Sequence, residues 1–586
     1  MLNVQTNKVD IKIKYQNLHE DFKILSKSIQ YKSFKERGKL INDFKKDINP
    51  LAFTITKDEI IYIVNKNDLI KDDMSKKVPM FKIESFPKDF IANLLFQFLR
   101  EKLNFFSIIE EPYKLFYLVK NGKKILETLC FEIDKNSLFQ ANAVAFKKFE
   151  GDAKESKNIL YTTNGKALTI YKEDQKSKDL FSKGNFRNKK ITIEFFSRSI
   201  NQYPNSKAYF IAMFLIDIKK HLSHYIDISF TRELMTSYKS YTNSYKEKKA
   251  NITLKNIQSS IAELNILNCT KYSTDTLMTS IKKVFDDKIE ISLDKPIEKN
   301  EFNLVLLYSK EYYTKNNIED PYKNLKKLNP YTQVLILDNK KINNYSLEVC
   351  LKELLIKNDI NNKKITLSTY ESNQIHKIYS IEAIKNKDTI YKVHELSIEK
   401  HQAISYKILE QEEAEEFIQY FLNTNNSDHA LEVLVEDFEG NINAIYKTKQ
   451  YPIVDFEGIY DYYNTVDVEI EKFNPARKGK EDSKEHSKRY HLTQGFHNLK
   501  YYLSESKAYY TVGVNVGTNN FSKTAPIRKV CAYKGDLILD KILPTLDEFF
   551  VKNKEFTVLP FGLKYLREFR QIIKGGSCFV PLSRNT

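Results

Sequence analysis

Apolar and polar residues alternate along LAFTITKDEIIYIV (51 to 64) and KLFYLVKNGKKILETLCFEID (114 to 134), the period-two pattern of half-buried strands. Asn121-Gly122 inside the second stretch predicts a hairpin turn, and AVAFKKF extends the strands. Between them FPKDFIANLLFQFLREKLNFF (86 to 106) has helical spacing, with Pro87 near its start. After a charged loop, GDAKESKN (151 to 158), NILYTTNGKALTIYKE predicts a second hairpin at Asn164-Gly165. KKITIEFF (189 to 196) predicts a strand, and SKAYFIAMFLIDIKKHLSHYI (206 to 226) a largely buried helix. The polar stretch 232 to 255 marks a domain boundary nearby. The first half is therefore α+β.

From about residue 300 the pattern becomes strand, helix, strand, helix, strand: FNLVLLYS, DPYKNLKKL, YTQVLILD, SLEVCLKELLIKN, KKITLST. That order predicts a small doubly wound domain with a parallel sheet, whose ligands sit at strand carboxyl ends. Beyond about 375, the strands HALEVLVEDFEGNINAIY and TVDVEIEKF surround the acidic helix EQEEAEEFIQYFL, a second α/β block. The whole is a multidomain α/β chain.

At 586 residues and 68.9 kDa the chain has room for about four domains. Lys+Arg 93 against Asp+Glu 76 leaves +17 and a pI near 9.1, so the first partner to expect is a polyanion such as nucleic acid. Part of that basicity follows the Lys, Asn and Ile bias of an AT-rich genome. The five cysteines are scattered and unpaired in sequence, which suggests neither a disulfide frame nor a zinc knuckle. The longest apolar run, Ala208 to Ile216, is too short to span a membrane. A soluble, cytoplasmic protein with no membrane partner is the expectation. There is no P-loop, G-x-G-x-x-G or H-E-x-x-H, so nothing supports a helicase, dinucleotide-binding or zincin activity.

One constellation carries chemistry. Asp320 and Pro321 suit the cap and first turn of a helix, which puts Tyr322 and Lys326 on one face at i and i+4. Gln333 opens the next strand and Lys357 ends the next helix. A phenol for stacking, an amide and two ammonium groups could converge on a phosphate, with Glu319 and Asp320 uncomfortably close to such an anion. The bland alternative is a lysine-rich surface helix.

These segments resemble the MID domain of the prokaryotic Argonaute family, in which a Tyr, Lys, Gln, Lys pocket grips the 5′ end of a guide strand. Tyr322, Lys326, Gln333 and Lys357 take those places, with a shortened gap between Lys326 and Gln333. Downstream and in the same order, HALEVLVEDFEGN, TVDVEIEKFNPARKG, YYTVGVNVGTNNFSKTAPIRKV and VLPFGLKYLREFRQII resemble PIWI segments. The resemblance implies a doubly wound MID-like domain at 296–372 and an RNase H-like PIWI domain at 373–586. Ahead of them would lie an N-terminal α+β domain and linker at 1–160 and a second linker region at 161–295, with PAZ reduced or absent.

PIWI cleavage requires a nearly complete carboxylate cluster around two metal ions. Asp437 matches one aspartate position and Glu382 the first, but Arg567 stands where cleaving members place an acid or histidine. Glu399, Glu410, Glu412 and Glu413 offer no convincing glutamate finger. The resemblance therefore implies a degenerate site at Glu382, Asp437 and Arg567, with no catalytic metal and no slicing. It implies a short guide RNA or DNA, a complementary target, a separate effector protein and a role against plasmids or phages. It admits a Mg2+ ion at the guide 5′ end. Arg477, Lys478 and Lys480 would contact the nucleic-acid backbone, as would NFRNKK (185 to 190) and KEKK (246 to 249). His486, His491 and His497 have spacings that suit a basic loop better than a metal site. Two rival functions remain: a metal-dependent guided endonuclease using Asp437 with Glu382, and a guide-free basic scaffold.

Overall fold

In a computed structural model the chain is described over residues 2–30, 34–56, 59–68, 75–108, 111, 113–153, 156, 159–171, 179–183, 193, 204–240, 254–297, 302–329, 331–337, 344–366, 374–385, 389–399, 402–425, 429–451, 499–503, 507–511, 526–546 and 559–573. Two compact units emerge. The first comprises Met1–Leu234 with Lys449–Phe496 and Thr518–Thr524, the second Met235–Thr448 with His497–Gly517 and Ala525–Thr586. The break falls inside the polar stretch that begins at 232, although that stretch opens as the end of a long strand, Ile226–Ser240.

In the first unit, Leu115–Asn121, Ile125–Ile133 and Phe139–Lys148 form consecutive antiparallel strands of one sheet. Asn121-Gly122 makes the first turn, and a Cβ on Gly122 would lie 2.6 Å from the Ile125 carbonyl, so the turn requires glycine. The helix Lys207–Leu222 is capped by Ser206, whose hydroxyl accepts from the Tyr209 amide at 3.3 Å. Its Phe214 stacks on Phe131 at 4.4 Å and anchors the core. The 86–106 stretch yields a shorter helix, Lys88–Phe96, then a turn, Leu99–Lys102 and the strand pair Phe105–Phe106.

The second unit opens its parallel sheet with β2 (Glu263–Asn268), after β1 (Ile226–Ser240). Then follow α1 (Asp275–Val284), β3 (Glu290–Leu293), β4 (Asn303–Leu307), α2 (Lys310–Lys315), α3 (Tyr322–Leu328), β5 (Gln333–Ile336) and α4 (Asn344–Asn361). The strand order is β3-β2-β4-β5, all parallel. Two of its strands thus precede residue 296, ahead of the expected MID-like boundary. ELNILN carries a polar residue into the core: Asn265 is buried, and its side-chain amide is satisfied by donating to Asn303 at 3.0 Å. Over its described residues, 363–366, KKITLST joins no strand of this sheet. The Ile365 amide instead donates to Gln402, and the Lys363 carbonyl accepts from Ile404.

The larger sheet runs through β6 (Ile375–Lys385), β7 (Thr389–Ile398) and β8 (Ile404–Ile408), then α5 (Gln411–Thr424), β9 (His429–Asp437) and β10 (Ile442–Thr448). It is completed by β11 (Leu499–Leu503), β12 (Ala508–Thr511) and β13 (Arg528–Lys534). Within the second unit its order is β1-β11-β12-β13-β10-β9-β6-β7-β8, with antiparallel pairs. After α6 (Leu539–Ile542), the amphipathic closing helix α7 (Gly562–Ile573) buries Leu563, Tyr565 and Leu566 in a core shared with Leu351, Leu354 and Leu355 of α4. That shared core brings the polar faces of α4 and α7 together beside β5. Among the described residues no helix is long and apolar enough to cross a membrane.

Candidate functional site

Lys357 is buried near the end of α4, and its ammonium donates to the Thr332 carbonyl at 3.0 Å and to Gln333 Oε1. Gln333, also buried, turns its amide nitrogen to Glu353 Oε2 at 2.8 Å, one helical turn before Lys357. From α7, Lys564 donates to Glu568 at 2.6 Å and lies 3.7 Å from Glu353 Oε1. At the start of α3, the Tyr322 amide donates to Asp320 Oδ1 at 3.0 Å, which fixes the entry to the helix. Burial, with the carboxylates of Glu568, Asp320 and Glu353, pushes the Tyr322 phenol up to about 12. Tyr322, Gln333 and Lys357 therefore border one polar cluster. Lys326 lies in α3, and its side chain falls outside the described residues.

Sequence reasoning missed Glu353, Lys564 and Glu568. Their signal was the i, i+4 spacing of Glu353 to Lys357 and of Lys564 to Glu568. Each pair alone looks like an ordinary helix-surface pair, and only the packing of α4 on α7 joins them. The carboxylates change the electrostatics, because Lys564 shares its charge with Glu353 and Glu568, and Gln333 links Glu353 to Lys357. They also bear on a Mg2+ ion at this place. The position between the two carboxylates is taken by the Lys564 ammonium, so this donor set does not fit a resident divalent cation.

Glu382 and Asp437 are not brought together. Ile375 pairs across from Asp437 between β6 and β9, which leaves Glu382 roughly 23 Å further along β6. Glu382 is held by Arg570 at 3.0 Å and by His394 Nε2 at 3.2 Å, while the other His394 nitrogen meets the Tyr406 hydroxyl at 2.7 Å. Asp437 closes the β9–β10 turn. It accepts from the Glu439 amide at 3.0 Å, the Asn441 amide and side chain at 2.9 Å each, and Lys541 at 2.7 Å. Gly440 supplies the left-handed residue of this turn, φ +83°. Burial pushes the Asp437 carboxyl upward, but the bonds from Asn441 and Lys541 outweigh it and hold the carboxyl well below the usual range. Arg567 is exposed on α7, within electrostatic reach of Glu432, Arg570 and Arg528. Among the described residues, no group of three acidic, histidine or cysteine side chains could hold a metal ion.

No protein-family model matches the chain, and no curated protein matches it. Solved structures do. The chain is similar to Clostridium butyricum Argonaute bound to a guide DNA and a 19-mer target DNA, at 9% identity over 98% of each chain with a TM-score of 0.44. It is similar to Kluyveromyces polysporus Argonaute with a guide RNA, at 12% identity over 98% of this chain and 95% of that one, TM-score 0.45. A third is A. aeolicus Argonaute, at 11% identity over 97% of each chain, TM-score 0.37. Its structural neighbours are Argonautes. At such identity no residue role transfers from these Argonaute structures to this chain.

Among the remaining acidic candidates, Glu412 and Glu413 are exposed in the first turn of α5, and Glu413 pairs with Lys407 at 3.3 Å. Arg477, Lys478 and Lys480 lie outside the described residues, as do 185–190, 246–249, TVDVEIEKF and the three histidines 486, 491 and 497.

Proposed function

We propose that the chain is a guide-strand-dependent nucleic-acid binder that does not slice. A guide 5′ phosphate meets Lys326 and Lys357, its first base stacks on Tyr322, and Gln333 orients the end by hydrogen bonding. Base pairing along the guide then reads the target, while the protein reads the end and the backbone. In this reading the chain recognises plasmid or phage nucleic acid in the cytoplasm and signals to a separate effector protein.

The observation that carries the reading is the contact of Lys357 with Gln333, whose amide reaches Glu353, a carboxylate that also acts on the Tyr322 phenol of α3. The absence of slicing is supported by the separation of Glu382 from Asp437 and by their engagement with Arg570 and Lys541. Two-metal chemistry requires carboxylates converging within a few ångströms, about 3.5–4 Å between ions.

The test is to purify the protein from cells, sequence its bound nucleic acid, and incubate it with a matched target and Mn2+. A uniform 5′ end, a narrow length class and an intact target are expected. Cleavage abolished by Asp437→Ala would establish the nuclease instead, and heterogeneous ends would establish the guide-free scaffold.

A further inference from the structure

In the first unit, the helix Phe34–Ile48 packs Ile41 and Phe44 on the strands Ala52–Ile55 and Glu59–Asn65. Lys45 lies in the last turn of that helix, and its Nζ stands over the Phe53 ring, 5.2 Å from the centroid. Phe44 closes the aromatic wall, 5.9 Å from Phe53 and 5.0 Å from Tyr62. Lys45 is half-buried, so part of it still faces solvent.

The surroundings of this ammonium are aromatic and cationic. Among the described residues it makes no hydrogen bond and no ion pair. Asp43 and Asp47 of its own helix are exposed and do not pair with it, and the Tyr62 hydroxyl donates to Ser75 at 2.6 Å. Arg100, in the short helix Leu99–Lys102, adds a second positive charge. Its guanidinium is held in place by donating to Gln97 Oε1 at 2.8 Å. Buried Gln97 in turn donates to the Phe53 carbonyl at 2.7 Å and accepts from the Phe53 amide at 3.2 Å. Phe53 therefore both lies beneath Lys45 and anchors the side chain that positions Arg100.

Burial and the Arg100 charge both favour the neutral amine, and they pull Lys45 down to about 8. An apolar surrounding and a neighbouring cation are the two conditions that make a lysine a nucleophile. An ordinary surface lysine keeps only about one amine in a few thousand unprotonated at pH 7.

We propose that Lys45 is an acylation site whose donor is a small acyl phosphate, with Arg100 holding the donor's phosphate. The neutral amine attacks the carbonyl carbon, and the C–N bond forms as the C–O bond to phosphate breaks. Inorganic phosphate leaves with the bonding electron pair beside Arg100, and the amine proton passes to solvent. The amide produced is uncharged, which ends the repulsion between the two side chains. The step involves no guide strand, so it does not depend on the guide-binding function.

The test incubates the full chain, freed of nucleic acid, with acetyl phosphate at pH 7, 8 and 9 and follows acetylation by tandem mass spectrometry of Glu-C peptides. At pH 7 Lys45 should be acetylated roughly tenfold or more faster than exposed Lys46 beside it. Its rate should level off above about pH 8, while the rate at surface lysines as a class keeps rising. Inorganic phosphate should slow acetylation of Lys45 by acetyl phosphate severalfold, and should not slow labelling by the N-hydroxysuccinimide ester of acetic acid, which carries no phosphate. Arg100→Gln should reduce the acetyl phosphate rate at Lys45 severalfold more than the ester rate. Equal rates at Lys45 and Lys46, or a Lys45 rate still rising steeply at pH 9, would overturn the site. Absence of competition by phosphate, or equal losses with both reagents in Arg100→Gln, would overturn the acyl phosphate as donor.

Discussion

Tyr565 donates a hydrogen bond of 2.6 Å to Asp359 Oδ2, joining α7 to α4 across 206 residues of sequence. Both side chains are buried, and Asp359 also accepts from the Thr366 amide at 2.9 Å and the Thr366 hydroxyl at 2.5 Å. Because α4 carries Glu353 and Lys357 while α7 carries Lys564 and Glu568, this bond fixes the register of the helices that build the polar cluster.

Removing it has a defined cost. Tyr565→Phe leaves the ring in place and takes one donor from a buried carboxylate, a loss of about 1.5–3 kcal/mol. Urea unfolding should show the midpoint moving down with the slope unchanged. An unchanged midpoint would mean that apolar packing alone sets how α7 sits on α4.

Lys564 bridges Glu353 and Glu568, so guide binding should be insensitive to chelation. Titrating a 5′-phosphorylated strand with EDTA or with Mg2+ should give the same affinity within about twofold. Lys564→Ala strips the carboxylates of that ammonium, and Mg2+ should then improve binding by roughly tenfold by taking its place. A large EDTA effect on the unmodified protein would contradict the bridging role.

The helix and strand grammar from residue 300 onward was legible in sequence because α3, β5 and α4 keep their apolar period. The polar cluster was half legible. Tyr322, Gln333 and Lys357 stand out by type and order, but Glu353 and Glu568 are indistinguishable from solvated helix charges until α7 packs on α4. Strand β2 was missed because its buried Asn265 is satisfied by Asn303, a partner 38 residues away. A polar residue in a short strand argues against burial only until its tertiary partner is known.

Asp437 makes a pH-dependent contribution of known sign. Its carboxyl is held below the ordinary value near 4, so its stabilising bonds are complete at neutral pH and are lost as pH falls through and below that value. Asp437→Asn should cost about 1–3 kcal/mol at pH 7, and the gap between the two proteins should narrow on going from pH 5 to pH 3. A gap that stays constant with pH would show that the charge on Asp437 contributes nothing to the turn.

The guide-binding account is tested most directly by the affinity ratio for the same single strand with a 5′ phosphate and with a 5′ hydroxyl, measured on the unmodified protein and on Lys357→Ala. The account predicts a ratio of about ten or more for the unmodified protein, collapsing toward one in the variant while 5′-hydroxyl binding is retained. Equal weakening of both strands by Lys357→Ala, or no preference in the unmodified protein, would contradict it.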